Sequence, residues 1–203
     1  MDTEERGRGE GLRKAAPRPR WLPGPLRFAP VHDAPGVRAG AAGAGPGVKR
    51  VVILGATGSV GLSALEIARR HTPRFKVVGL SANSSVAALE RLAAEFRPEA
   101  VALADPGALD GRTDLRRAGW RAGPEATRAL ATLAGADIVV NAIVGAAGLR
   151  YTIAALEAGK RCALANKESL VAAGELVLDA SRRGGGELVP VDSEHSAILQ
   201  CIG

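Results

Sequence analysis

Short apolar runs alternate along this chain with stretches in which apolar residues recur every three or four positions, and the alternation begins only near residue 50. The first run, Arg50-Val-Val-Ile-Leu54, ends at Gly55 and reads as a strand buried on both faces, because Val51 to Leu54 leave no polar face for water. Over residues 59–71 the period becomes helical, with Leu62, Leu65, Ile67 and Ala68 on or near one face. Residues 75–80 form a second strand, and Leu89, Leu92 and Phe96 mark a second helix that Pro98 closes. Strand-like runs recur at 100–104, 137–142, 161–165 and 187–191, with helical patterns at 125–133, 148–158 and 169–181. Repeated strand-helix units of this kind predict an α/β fold, a doubly wound parallel sheet with helices on both faces.

The first 50 residues break the pattern. They hold 7 of the 12 prolines and 9 of the 26 glycines, and no period of either kind is sustained. Residues 1–49 are therefore expected to be a disordered Pro/Gly/Arg-rich leader. A signal peptide needs an apolar central stretch that is absent here. Asp2, Glu4 and Glu5, with almost no serine, argue against a transit peptide. The charge follows the same division. Of the formal +6, residues 1–50 contribute 10 Lys/Arg against 5 Asp/Glu, and the rest of the chain 17 against 16. The body is nearly neutral and poor in aromatic rings, which speaks against a nucleic-acid partner. No run of about 18 apolar residues exists to span a membrane. Two cysteines, Cys162 and Cys201, make no disulfide framework and favour a reducing, cytoplasmic setting. Both sit in apolar runs and read as small buried residues.

Directly after the first strand stands Gly55-Ala-Thr-Gly58-Ser-Val-Gly61, opening a helix. Glycines in that place permit a tight turn and let the backbone approach a pyrophosphate, whose charge is met by free amides at the helix N-terminus. The spacing is G-x-x-G-x-x-G, and its position between an apolar strand and an amphipathic helix makes a Rossmann-like dinucleotide site the functional reading. At the end of the second strand, Leu80-Ser-Ala-Asn-Ser-Ser85 has no carboxylate to hold a ribose 2′-hydroxyl, which prefers NADP to NAD. It has no Arg or Lys either, so Asn83, Ser84 and Ser85 would bind a phosphate through hydrogen bonds alone. Ser85 could equally be the N-cap of the following helix.

Three later blocks are more specific: Val139-Val-Asn-Ala-Ile-Val-Gly-Ala-Ala-Gly-Leu149, Ala163-Leu-Ala-Asn-Lys-Glu-Ser-Leu-Val171 and Val189-Pro-Val-Asp-Ser-Glu-His-Ser-Ala197. In sequence, spacing and order they resemble 1-deoxy-D-xylulose 5-phosphate reductoisomerase, over essentially all of residues 50–203. The resemblance implies an enzyme of non-mevalonate isoprenoid biosynthesis. That family rearranges 1-deoxy-D-xylulose 5-phosphate and reduces the product with NADPH to 2-C-methyl-D-erythritol 4-phosphate, with a divalent metal (Mg²⁺, Mn²⁺ or Co²⁺). It also implies a homodimer at full length. By the same resemblance Thr57, Gly58, Ser59 and Val60 fall on the NADPH-binding turn, and Asn166 and Glu168 on a second NADPH contact. Lys167, Ser193 and Glu194 fall on substrate positions, Asp192 and Glu194 on metal ligands, and Lys167 and Glu194 carry the catalytic roles.

The residue types agree with those roles. Carboxylates two apart at a strand end project to one side, and two hard oxygen donors suit Mg²⁺ or Mn²⁺. One cation polarising a ketone and an adjacent hydroxyl is Lewis-acid chemistry, and Lys167 brings positive charge to an anionic substrate. His195 stands beside the ligands and reads as a local hydrogen-bond partner. Two departures from the family pattern are present: Asn83-Ser84-Ser85 replaces a Gly, basic, Asn series, and Tyr151 stands where proline is usual. The expected organisation is a leader at 1–49, a dinucleotide-binding unit at 50–185 and the start of a catalytic domain at 186–203. Family members run to about twice the length of this body, so the chain by itself is expected to bind cofactor weakly and turn over poorly or not at all. Two other readings remain open: a different NAD(P)-dependent dehydrogenase, which would need a catalytic Cys or Lys and no metal, and a non-catalytic nucleotide-binding module.

Overall fold

The computed structural model describes residues 47–191 apart from residue 166, and for 167–172 it describes the helical backbone without the side chains. The expected leader thus lies outside the described residues except for its last three positions, and Lys49 already belongs to the first strand. Seven parallel strands form one sheet in the order β4-β3-β2-β1-β5-β6-β7. They are β1 (Lys49–Leu54), β2 (Phe75–Ala82), β3 (Ala100–Leu103), β4 (Arg121–Ala122), β5 (Ile138–Asn141), β6 (Arg161–Leu164) and β7 (Glu187–Pro190). The helices between them are α1 (Ser59–Arg70), α2 (Val86–Phe96), α3 (Thr113–Arg117), α4 (Pro124–Ala131), α5 (Leu149–Glu157) and α6 (Lys167–Gly184), the last interrupted at Ala173 by a non-helical backbone.

The central strands are apolar over most of their length because both faces are covered. In β1, Val51 and Ile53 join a core with Leu65 and Ala68 of α1 and Leu89 and Ala93 of α2. Val52 and Leu54 face the other way, into a core with Leu130 of α4, Ala155 and Leu156 of α5 and Val177 of α6. That alternation is the physical content of a doubly wound sheet. The chain steps outward from β1 to β4 on one side, returns to place β5 against β1, and then steps outward to β7 on the other. The order therefore reverses between β1 and β5, the place where open sheets of this kind leave a crevice at the carboxyl ends of their strands.

Two expectations need correction. Leu62 and Ile67 do not share the inward face of α1: they are 48% and 55% exposed, whereas Gly61, Leu65 and Ala68 are buried. A helix that brings a glycine against its own preceding turn presents the 61-65-68 stripe, and Leu62 and Ile67 lie to either side of it. Between β3 and α4 the pattern gave no element, yet the chain forms a 3-10 turn (Pro106–Leu109), α3 and β4. Leu109, Leu115 and Trp120 are buried there, but they are too irregularly spaced to show a period. The turn is set instead by Asp105, whose carboxylate accepts the Gly107 amide at 2.9 Å.

Candidate functional site

The loop after β1 and the loop after β5 touch at the reversal point. Gly55 has φ +78°, and a Cβ there would lie 2.9 Å from the Ala142 carbonyl oxygen, so only glycine allows this turn and this approach together. The turn is fixed from β2: the Ala56 amide donates to the Ser81 carbonyl at 2.7 Å, and the Gly55 amide leans on the Ser81 hydroxyl at 3.4 Å. Within it the Gly58 amide donates to the Gly55 carbonyl at 3.1 Å. Gly61 is required for a different reason. A Cβ on it would run into the Gly55 carbonyl oxygen and sit 2.7 Å from Ala56 Cα, so α1 could not begin so close to the strand. Gly58 has open space around its Cα, with only the Gly55 oxygen at 3.5 Å.

The first turn of α1 faces the crevice without a side-chain cap and without an acidic residue. Gly58, Ser59 and Val60 are exposed and Thr57 is half-buried. An uncapped helix N-terminus presents unpaired amides and a partial positive charge, which suits a phosphate. The three loops around it, residues 55–61, 83–85 and 142–148, include no charged side chain. Asn83, Ser84 and Ser85 are exposed at the end of β2. Ser85 takes the N-cap position of α2, but its side chain makes no capping bond.

The opposite wall is the loop after β5. Asn141, wholly buried at the end of that strand, donates from its amide to the Gly148 carbonyl at 2.9 Å and the Thr152 hydroxyl at 2.8 Å, and its Oδ1 accepts the Ile143 amide at 3.2 Å. Above it Val144 is 86% exposed. Neither Asn141 nor Ser81 stands out in the sequence as a site residue. Asn141 is legible only as a polar residue closing the apolar run Ile138-Val-Val, and Ser81 carries no signal at all.

The remaining residues named from the sequence divide by position. Lys167 and Glu168 open α6, which follows β6 at the same carboxyl edge; their side chains lie outside the described residues. Asn166, Asp192, Ser193, Glu194 and His195 lie outside them altogether, as does Cys201. Val191, just before the acidic motif, donates its amide to the Leu164 carbonyl at 3.0 Å, at the carboxyl end of β7. Among the described residues no three His, Cys, Asp or Glu side chains gather as a metal site, and no helix is long and apolar enough to cross a membrane. Among the described residues, perturbed titrating groups lie beneath or beyond the crevice loops. Burial pushes the Cys162 thiol up to about 12, against a hydrogen bond with Thr152 that lowers it. Burial also lowers Lys160, opposed by Asp137, while its ammonium donates to the Ala136 carbonyl at 2.9 Å at the amino edge of the sheet.

Residues 51–174 match the family model described as 1-deoxy-D-xylulose 5-phosphate reductoisomerase. A protein of that name from Thermodesulfovibrio yellowstonii is 49% identical over 156 residues, covering 76% of this chain and 41% of the relative. Another from Mycolicibacterium smegmatis is 50% identical over 165 residues, covering 80% and 39%. The chain thus spans about two fifths of the length of the curated relatives it matches. Among solved structures, the Zymomonas mobilis reductoisomerase in complex with NADPH is similar with a TM-score of 0.71 at 43% identity, over 77% of this chain and 42% of that one. A reductoisomerase in complex with NADPH, fosmidomycin and magnesium gives 0.71 at 42% identity, over 77% and 39%.

Proposed function

The chain belongs to the 1-deoxy-D-xylulose 5-phosphate reductoisomerase family, and from that premise we propose that it supplies the NADPH-binding part of an enzyme converting 1-deoxy-D-xylulose 5-phosphate to 2-C-methyl-D-erythritol 4-phosphate. The observation that carries the reading is the coincidence of three features at one point. The glycine turn, the uncapped N-terminus of α1 and the reversal of strand order meet where loops 55–61, 83–85 and 142–148 carry no charged side chain. A cradle in which Gly61 admits no Cβ and the helix offers unpaired amides fits a pyrophosphate. Thr57, Gly58, Ser59 and Val60 would hold it, with Asn166 and Glu168 as a second contact. The absence of a carboxylate from the stretch after β2 favours NADP over NAD, with Asn83, Ser84 and Ser85 nearest the extra phosphate.

Bound there, NADPH supplies the hydride for the reduction. Asp192 and Glu194, two hard oxygen donors, would hold a divalent cation, whose chemistry is Lewis-acid polarisation of the substrate oxygens. Lys167 and Ser193 orient the substrate, Lys167 by charge, and Lys167 and Glu194 are the catalytic groups. The division into a leader at 1–49, a dinucleotide-binding unit at 50–185 and the beginning of a catalytic domain at 186–203 belongs to the same proposal, with β7 as the strand where the last two meet. So do a homodimeric assembly, a cytoplasmic setting and the lack of nucleic-acid or membrane partners, which the neutral body supports.

The test is NADPH oxidation by the purified protein with 1-deoxy-D-xylulose 5-phosphate and Mg²⁺ or Mn²⁺. Consumption that requires both substrate and metal, and that Asp192→Asn removes, is the expected result for the protein carried to the length of its relatives. Turnover that ignores chelation would point to a metal-free dehydrogenase and overturn the reading.

A further inference from the structure

Two loops face each other across the crevice, and they are held by different means. The glycine turn is held by backbone hydrogen bonds to β2 and by its own glycine contacts. Loop 142–148 is anchored at its start by the Ala142 amide on the Leu54 carbonyl and by Ile143 packed on the core, and side chains hold it from beneath: Asn141 at both ends, joined at Gly148 by the Thr152 hydroxyl at 3.5 Å. Asn141 pairs with Leu54 at the end of β1 and with Leu164 at the end of β6, on the sheet face that α5 covers. Its amide reaches the Gly148 carbonyl and the Thr152 hydroxyl, while its oxygen takes the Ile143 amide at the start of the same loop. The residue therefore bonds both ends of the loop and the first turn of α5. A buried amide satisfied in this way is costly to disturb, because removing it strands partners that no water replaces. The buried strand end needs no polar residue for packing: Val139, two positions earlier on the same face, is apolar.

We infer that Asn141 is a positioning residue for the dinucleotide, fixing loop 142–148 against the glycine turn so that the crevice is formed before the cofactor arrives. The inference rests on the reading that this crevice holds NADPH. Gly55 meets the loop at Ala142, so a loop that drifts takes one wall from the site and loosens the turn on the other. Val144, at the middle of the loop, is 86% exposed, so its side chain adds little packing to the anchors on either side. Preformed sites bind more tightly because the ordering cost is already met.

The test compares NADPH affinity and amide exchange in the 203-residue chain, its Asn141→Ala and Thr152→Val variants, and a Leu109→Ala control in the far core. Asn141→Ala should weaken NADPH binding about tenfold and speed exchange in residues 142–148 while the β1 amides stay protected. Thr152→Val removes one of the three bonds and should weaken binding by about threefold; it decides the matter if Asn141→Ala does not fold. Leu109→Ala should lower the melting temperature and leave the affinity of the folded protein unchanged. Unchanged affinity in both crevice variants, or exchange that rises equally over the whole sheet, overturns the inference while leaving the NADPH reading intact. Failure of the unaltered chain to bind NADPH overturns both.

Discussion

At the amino ends of the strands Arg50 donates from Nε to the Gly135 carbonyl and from its terminal nitrogen to Glu99, each at 2.6 Å, whereas at the carboxyl ends of the same strands the three crevice loops carry no charge. The Arg50 side chain is only 7% exposed. Around it the Asp137 carboxylate accepts the Arg50 amide at 2.7 Å, and Lys76 reaches Glu99 at 3.2 Å. Further along that edge Lys160 holds the Ala136 carbonyl and Arg161 pairs with Glu187 across β6 and β7. One edge of the sheet satisfies its polar groups internally, and the other leaves a helix N-terminus open. Stability chemistry and binding chemistry are thus separated by the length of a strand, and substitutions at the two edges should separate in the same way.

Glycines give the largest effect. A Cβ at Gly61 meets the Gly55 carbonyl, and a Cβ at Gly184 meets the Leu156 carbonyl near the amino edge. Gly61→Ala and Gly184→Ala should each cost about 3 kcal/mol in denaturant unfolding, since neither contact can yield without moving backbone. Only Gly61→Ala should also abolish NADPH binding by the fraction that remains folded; equal binding by the two variants would break the division between edges. Next comes Arg50→Ala, which leaves Glu99 with one partner and the Gly135 carbonyl with none. It should cost about 2 kcal/mol of stability and leave NADPH affinity unaltered.

A pH titration sharpens the same contrast. Burial raises the Glu99 carboxyl, but hydrogen bonds from Arg50 and Lys76 outweigh it and hold the group below its ordinary 4.5. A depressed folded-state value means stabilisation that is complete above the unfolded value and lost as pH falls through the folded one. Unfolding free energy should therefore fall as pH drops below about 4.5, and more shallowly in Glu99→Gln. The smallest effect is chemical. With its thiol pushed up to about 12 by burial, Cys162 in a Cys201→Ser background should resist thiol reagents at pH 8 until the chain unfolds.

The fold was legible because its signals are local and repeated. Val51 to Leu54 announce a strand with two covered faces, and the alternation of their side chains between two cores is what such a run requires. The region from Asp105 to Gly123 was not legible, because Leu109, Leu115 and Trp120 fill one end of a core through short elements without a period. Leu62 and Ile67 misled in the opposite sense, since apolarity alone does not say which stripe of α1 turns inward. At the site, the glycines could be read from spacing: Gly61 has its steric reason within the motif, against Gly55 and Ala56, although Gly55 also meets Ala142 of the loop after β5. Ser81 and Asn141 could not, because their partners are Ala56 in the turn after β1 and Thr152 a helical turn beyond the loop. Long-range polar pairing leaves no periodic trace.

Amide chemical-shift mapping of NADPH on the isotopically labelled chain tests the separation of the two edges most directly. The shifts should concentrate in residues 55–61 and 142–148 and spare Arg50, Glu99, Asp137 and Lys160. Shifts centred on the amino edge, or none at saturating NADPH, would contradict it.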